Sequence, residues 1–218
     1  LGSRIAFVGA GGYVHVLDGK QKTWTADVKM NSGCRCAAFA NEDLLLTSGL
    51  DADMYLWDLR MSGRCLSRFA HEDGTASSAM AISVGAEGGT FRAAVGTESG
   101  VASVFKMDPS SAQSSIFTHE KTFMNLTTKI TSMSFNPTGE VLAFASDQKQ
   151  DQLRLCHMAS MSAFTNWPTD RTPLRRVRSV AFSPTSRYLT LGTNRGAALL
   201  YQLNHFSPTG HKKTRMRR

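Results

Sequence analysis

The stretch "LLLTSGLDADMYLWDLR", residues 44–60, holds the pattern from which the rest of the chain can be read. An apolar strand runs into a polar, glycine-bearing turn, and a second strand leaves it to end on the aromatic anchor Trp57. The same figure recurs as "RIAFVGAGGYVHVLDG" (4–19), "RAAVGTESGVASVFKMD" (92–108), "LAFASDQKQDQLRLCHM" (142–158) and "LTLGTNRGAALLYQL" (189–203). Val16, Trp57, Phe105, Cys156 and Tyr201 hold the matching anchor position, at intervals of 41, 48, 51 and 45 residues. Another apolar strand precedes each later copy: "CRCAAFA", "SAMAISV", "ITSMSFNP" and "VRSVAFSP". A more polar strand, such as "CLSRFAH" or "EKTFMNL", follows most of them. Four strands repeating every ~40 to 50 residues are the signature of a β-propeller blade. The expected fold is all-β: four nearly complete blades and the later strands of one more, spread over residues 1–206.

The glycines of 4–19 raise a rival reading. Gly9, Gly11 and Gly12 nearly match the dinucleotide fingerprint, in which glycines let backbone approach a pyrophosphate at a helix N-terminus. The third glycine would fall at Val14, and the segment after the turn, "YVHVLDG", has strand formers in place of an apolar helical face. The repeat makes these glycines the turn between two strands of a blade.

Composition allows a packed core, with 41% hydrophobic and 19% charged residues. No apolar run approaches the roughly 20 residues a membrane-spanning helix needs. Cys34, Cys36, Cys65 and Cys156 lack paired zinc-site spacing and read as reduced, partly buried thiols. The net charge is +8, and Lys212, Lys213, Arg215, Arg217 and Arg218 in the terminal "HKKTRMRR" supply five of the positive charges. A second cluster, "DRTPLRRVR", brings Arg171, Arg175, Arg176 and Arg178 together ahead of a strand. Residues 207–218 carry no strand alternation and read as an extended basic tail.

The copy "TSGLDADMYLWD" resembles the WD40 family, with Asp51 six residues before the namesake dipeptide Trp57-Asp58. In that family a turn aspartate, a strand serine or threonine, a loop histidine and the tryptophan form a bracing network. The resemblance gives three of these roles to Asp51, Trp57 and Ser48 or Thr47. No histidine stands in "KMNSGCRC" before the matching strand. WD40 rings usually have seven blades, which implies two or three more upstream of this chain, or partner chains that cover the open end. The "MNLTT" link, a "FTNWP" strand and the "LYQLNHF" ending are similar to WD40 components of the small-subunit processome. That resemblance implies a nucleolar scaffold in early ribosome assembly. Its partners would be other WD40 proteins and processome subunits, with the U-three snoRNA particle on the pre-18S transcript.

Chemistry is poorly represented. No H-E-x-x-H, G-x-S-x-G or P-loop pattern occurs, and His15, His71, His119, His157, His205 and His211 are scattered. Asn125 opens a glycosylation sequon that a reduced, basic chain is expected to leave unused. No catalytic, cofactor or metal site is expected. Three classes are weighed: an interaction platform of the processome or of another nuclear complex, a direct RNA binder, and an enzyme on a propeller scaffold. Base stacking calls for aromatics interleaved with basic residues, and aromatics are only 9%, mostly in strand positions that the core needs. Contact with RNA phosphates needs charge alone, so Arg175, Arg176, Arg178 and the five tail cations are its candidates. The platform ranks first and RNA-backbone contact second.

Overall fold

The computed structural model describes residues 3–61, 63–71, 73–84, 91–108, 116–168 and 173–206. Among them lie strands β1 to β18, two single-turn 3-10 segments and no α-helix. The first sheet holds β1 (Arg4–Val8), β2 (Tyr13–Asp18) and β3 (Thr23–Lys29). The second holds β4 (Cys34–Phe39), β5 (Leu44–Gly49), β6 (Asp53–Asp58) and β7 (Arg64–Ala70). The third holds β8 (Ser77–Val84), β9 (Phe91–Thr97), β10 (Ala102–Met107) and β11 (Phe117–Phe123). The fourth holds β12 (Ser132–Phe135), β13 (Val141–Ala145), β14 (Leu153–His157) and β15 (Ser162–Ala163). The last holds β16 (Val177–Phe182), β17 (Tyr188–Thr193) and β18 (Ala198–Gln202). Every pairing joins strands consecutive in sequence and is antiparallel. The architecture is a partial WD40-type β-propeller.

Alternation builds the cores. Val14 and Val16 on β2 are fully buried, while Tyr13 and His15 between them face outward. Four apolar clusters result, one at each interface between successive sheets. No such cluster joins the first sheet to the last among the described residues, and the ring is not closed. The outer face of the first sheet instead exposes Ile5, Phe7, Tyr13 and Trp24, at 49%, 48%, 47% and 61%.

The glycine cluster is a hairpin turn. Gly12 donates to the Gly9 carbonyl and has φ +82°, and a Cβ there would lie 2.3 Å from the Ser32 carbonyl oxygen. Gly100, in the equivalent turn of the third sheet, has φ +91° and the same close approach to the backbone of Leu126 and Thr128. Both turns tuck beneath the link that leads to the next sheet, where only glycine fits.

"FTNWP" is not a strand. β15 ends at Ala163, Phe164 adds one bond to the Leu155 carbonyl, and the chain then bends through a cis Trp167-Pro168 peptide. Beyond Phe164 no described residue of the segment bonds to β14, so the outer strand of the fourth sheet is only two residues long.

Candidate functional site

The network expected around Trp57 exists in pieces. The indole Nε1–H donates to Thr47 Oγ1 at 2.8 Å, so Thr47, and not Ser48, is the tryptophan's partner. Asp51 does not reach Trp57: its Oδ2 accepts from the Tyr55 hydroxyl at 2.9 Å, and its Oδ1 is buried without a partner. Burial, with the Asp51 hydrogen bond second, pushes the Tyr55 hydroxyl up to about 12. Tyr55 and Trp57 stack at 5.7 Å on the seam between the first and second sheets.

Ser48 turns the other way. Its Oγ lies 2.5 Å from Ser77 Oγ at the start of β8, and Ser77 meets His71 Nε2 at 3.3 Å. A loop histidine therefore does serve the second sheet, but it comes from the segment after that sheet. His71 is 2% exposed, and burial holds its imidazole below the usual value against the raising fields of Asp73 and Asp53. Asp73 is raised by burial, yet hydrogen bonds from Thr75, Ser99 and Thr97 bring it below the ordinary carboxylate value. These contacts join the turn of the third sheet to the link that enters it.

One rim carries interlocked charges. The innermost strands β4, β8 and β16 each break register at their second residue, which leaves Arg35, Ser78 and Arg178 out of the ladder. Such a bulge re-aims the side chain. Arg35 meets Glu98 of the next sheet, Glu98 also takes Lys129 at 3.1 Å, and Arg178 reaches Asp147 at 3.5 Å. The Arg35 hydrogen bond, then the Lys129 one, holds the Glu98 carboxyl below its ordinary value.

Arg175 and Arg176 are exposed on the same rim, in the link ahead of β16. The Asp151 carboxylate accepts from the Leu174 and Arg175 amides at 2.6 and 3.0 Å, and the Asp151 amide donates back to the Arg175 carbonyl. Lys212, Lys213, Arg215, Arg217 and Arg218 lie outside the described residues, as do Arg171 and the whole 207–218 tail. The rim belt, Arg195 and the His71 relay escaped the sequence reasoning. "HED" ahead of "SAMAISV" was the available signal for His71.

Among the described residues the remaining titratable groups do not converge on one centre. His15 pairs with Asp27, His119 with Thr122 and His157 with Ser160, each on a different sheet. Ser77 and His71 do touch, but both are sealed in the interior and the other imidazole nitrogen has no partner. Burial pushes the Cys34, Cys36 and Cys156 thiols up to about 11, 12 and 12. Among the described residues no group of three or more His, Cys, Asp or Glu is placed to hold a metal. A cleft of about 490 Å³ opens between the fourth and fifth sheets, lined by Val141, Leu155, Phe164, Trp167, Tyr201 and Phe206 among others. It is apolar, and it borders the free edge of β18, where the central sheets carry a fourth strand.

No protein-family profile matches the chain. It is 34% identical over 208 residues to the U3 small nucleolar RNA-associated protein 18 homologs of Mus musculus and Homo sapiens, an alignment covering 94% of this chain. It is 42% identical over 113 residues to U3 small nucleolar RNA-associated protein 18 of Saccharomyces cerevisiae, covering 52% of this chain and 19% of that protein. The chain spans little more than a third of the mouse and human relatives, 37% and 36% of their lengths.

Proposed function

We propose that this chain is the propeller portion of a U3 small nucleolar RNA-associated protein 18 homologue, and that it is a non-catalytic scaffold of the small-subunit processome. It would act in the nucleolus, in pre-18S rRNA processing and 40S subunit assembly. The observation that carries this is the 34% identity to relatives of that name over 94% of the chain. The architecture supports it physically. Stacked blades offer two rims and a circumference of strand edges, surfaces that hold several partners by shape and by strand addition. The partners expected are other WD40 proteins and processome subunits. Histidines dispersed over different sheets, and the buried thiols of Cys34, Cys36 and Cys156, favour a platform over an enzyme.

A second property is favoured by the exposed Arg175 and Arg176, whose guanidiniums have no partner among the described residues: contact with the phosphates of pre-rRNA or snoRNA, shared with Arg178 and the tail cations Lys212, Lys213, Arg215, Arg217 and Arg218. Affinity purification of the full-length protein, with identification of the RNA and protein that accompany it, tests the scaffold reading. U3 snoRNA and processome subunits are expected. Recovery of another nuclear complex, or of a cytoplasmic enzyme complex without snoRNA, overturns it.

A further inference from the structure

We propose that the rim of the last two sheets is a built phosphate-binding surface, in which Arg195 joins Arg175, Arg176 and Arg178 to hold RNA by its backbone without reading bases. It rests on the RNA-contact property proposed above and gives that property a place and a mode.

Three segments meet at this point of the rim. The Asn194 amide donates to the Arg176 carbonyl at 3.0 Å, which fixes the β17–β18 turn, with Arg195 in it, against the arginine link. Asp151 fixes the other side of the link through its three bonds to the backbone of Leu174 and Arg175. Leu174 is fully buried beneath, and Arg175 is held at φ +60°, a left-handed conformation rare for a side chain of this kind. The guanidiniums are thus mounted on a fixed backbone.

The fold does not require arginine here. The same backbone bond recurs between Leu50 and the Gly33 carbonyl in the second sheet, and between Glu98 and the Ala76 carbonyl in the third. There the link residues are Ser32-Gly33 and Thr75-Ala76, and the turn residues matching Arg195 are Asp51 and Ser99. Neutral and acidic residues fill these positions in the second and third sheets, and three cations fill them in the last sheet. Asp151 spends its Oδ1 on backbone amides and Asp147 faces Arg178, so no carboxylate pairs with Arg175, Arg176 or Arg195 among the described residues.

The chemistry favours phosphate over an acidic protein. Guanidinium is planar, always charged and matched to phosphate oxygens. A protein partner would want apolar anchors at the centre of its contact. No large exposed apolar side chain lies in 147–151, 173–178 or 193–197, so neither such an anchor nor a stacking platform is present.

The test uses the full-length protein with Arg175→Ala, Arg176→Ala and Arg195→Ala combined, and a matching triple lysine variant. Binding to a 20-nucleotide oligouridine and an oligocytidine is measured against salt. The alanine variant should lose about two units of the log–log salt slope, at ~0.7 per single-stranded phosphate contact, equally for both oligonucleotides. The lysine variant should keep the slope, and an unchanged melting temperature should report intact blades. An unaltered slope, or a loss confined to one base, overturns the proposal. So does loss of a processome protein from nuclease-treated purifications with the RNA slope intact, which marks an acidic protein dock. Recovery of U3 snoRNA with the wild-type protein is scored separately, so a failed rim and a failed scaffold reading remain distinguishable.

Discussion

Thr47 accepts the indole N–H of Trp57 at 2.8 Å across the β5–β6 pair, with the hydroxyl fully buried and the indole 6% exposed. This bond sits where the first and second sheets meet, beneath the stacked Tyr55 ring. Trp57→Ala should cost about 3–5 kcal/mol through lost packing. Thr47→Val keeps the volume but strands the indole donor, and should cost about 1–3 kcal/mol. Denaturant melts of the two variants check the order. An unchanged midpoint for Trp57→Ala would make the tryptophan a surface residue.

The fold was largely legible because a blade is written in local alternation. The anchors Val16, Trp57, Phe105, Cys156 and Tyr201 all fall on the third strand of the blade pattern: β2, β6, β10, β14 and β18. Bonds between sheets were not legible. Ser48 reaches His71 through Ser77, across a sheet boundary and into a segment with its own strand pattern. Arg195 looks like an ordinary turn residue until Asn194 is seen bonded to the Arg176 carbonyl. The "FTNWP" segment leaves the sheet after the Phe164 amide bonds the Leu155 carbonyl, a departure that its residue types do not announce.

His71 makes stability depend on pH in a defined direction. Burial lowers its folded pKa, so the unfolded chain binds a proton first, near pH ~6.5. The contribution is complete above that value and declines as pH falls through it toward the folded pKa. His71→Gln should therefore show a smaller loss of melting temperature between pH 7.5 and 5.5 than wild type, because the proton that the unfolded chain takes up at His71 below pH ~6.5 is removed from the comparison. Equal losses would mean that His71 is solvated in solution.

Thiol reactivity should rank by burial. Cys65 is partly exposed, whereas Cys34, Cys36 and Cys156 are buried, with pKa values pushed up to about 11, 12 and 12 by desolvation. Alkylation at pH ~8 followed by mass spectrometry should label Cys65 first and leave the others until denaturant is added. Labelling of Cys36 at the rate of Cys65 would show that the second sheet opens on the experimental timescale.

Phe7 and Trp24 meet edge to face at 5.7 Å on the outer side of the first sheet, about half exposed or more. An apolar face beside the unpaired edge of β1 invites wrong association. A polypeptide limited to residues 1–206 should aggregate when expressed alone. Phe7→Glu with Trp24→Lys should reduce that aggregation, because both side chains already stand in water in the isolated arc. In the full-length protein the same pair should be harmful if another blade covers this face. Each large apolar side chain withdrawn from such an interface costs roughly 1.5–3 kcal/mol. Light scattering of the isolated arc and thermal melts of the full-length protein read the two arms. Improved solubility in the first together with a lowered melting temperature in the second identifies the face as an internal blade interface. An unchanged full-length melt would make it a surface open to water, and the propeller an arc in the whole protein as well.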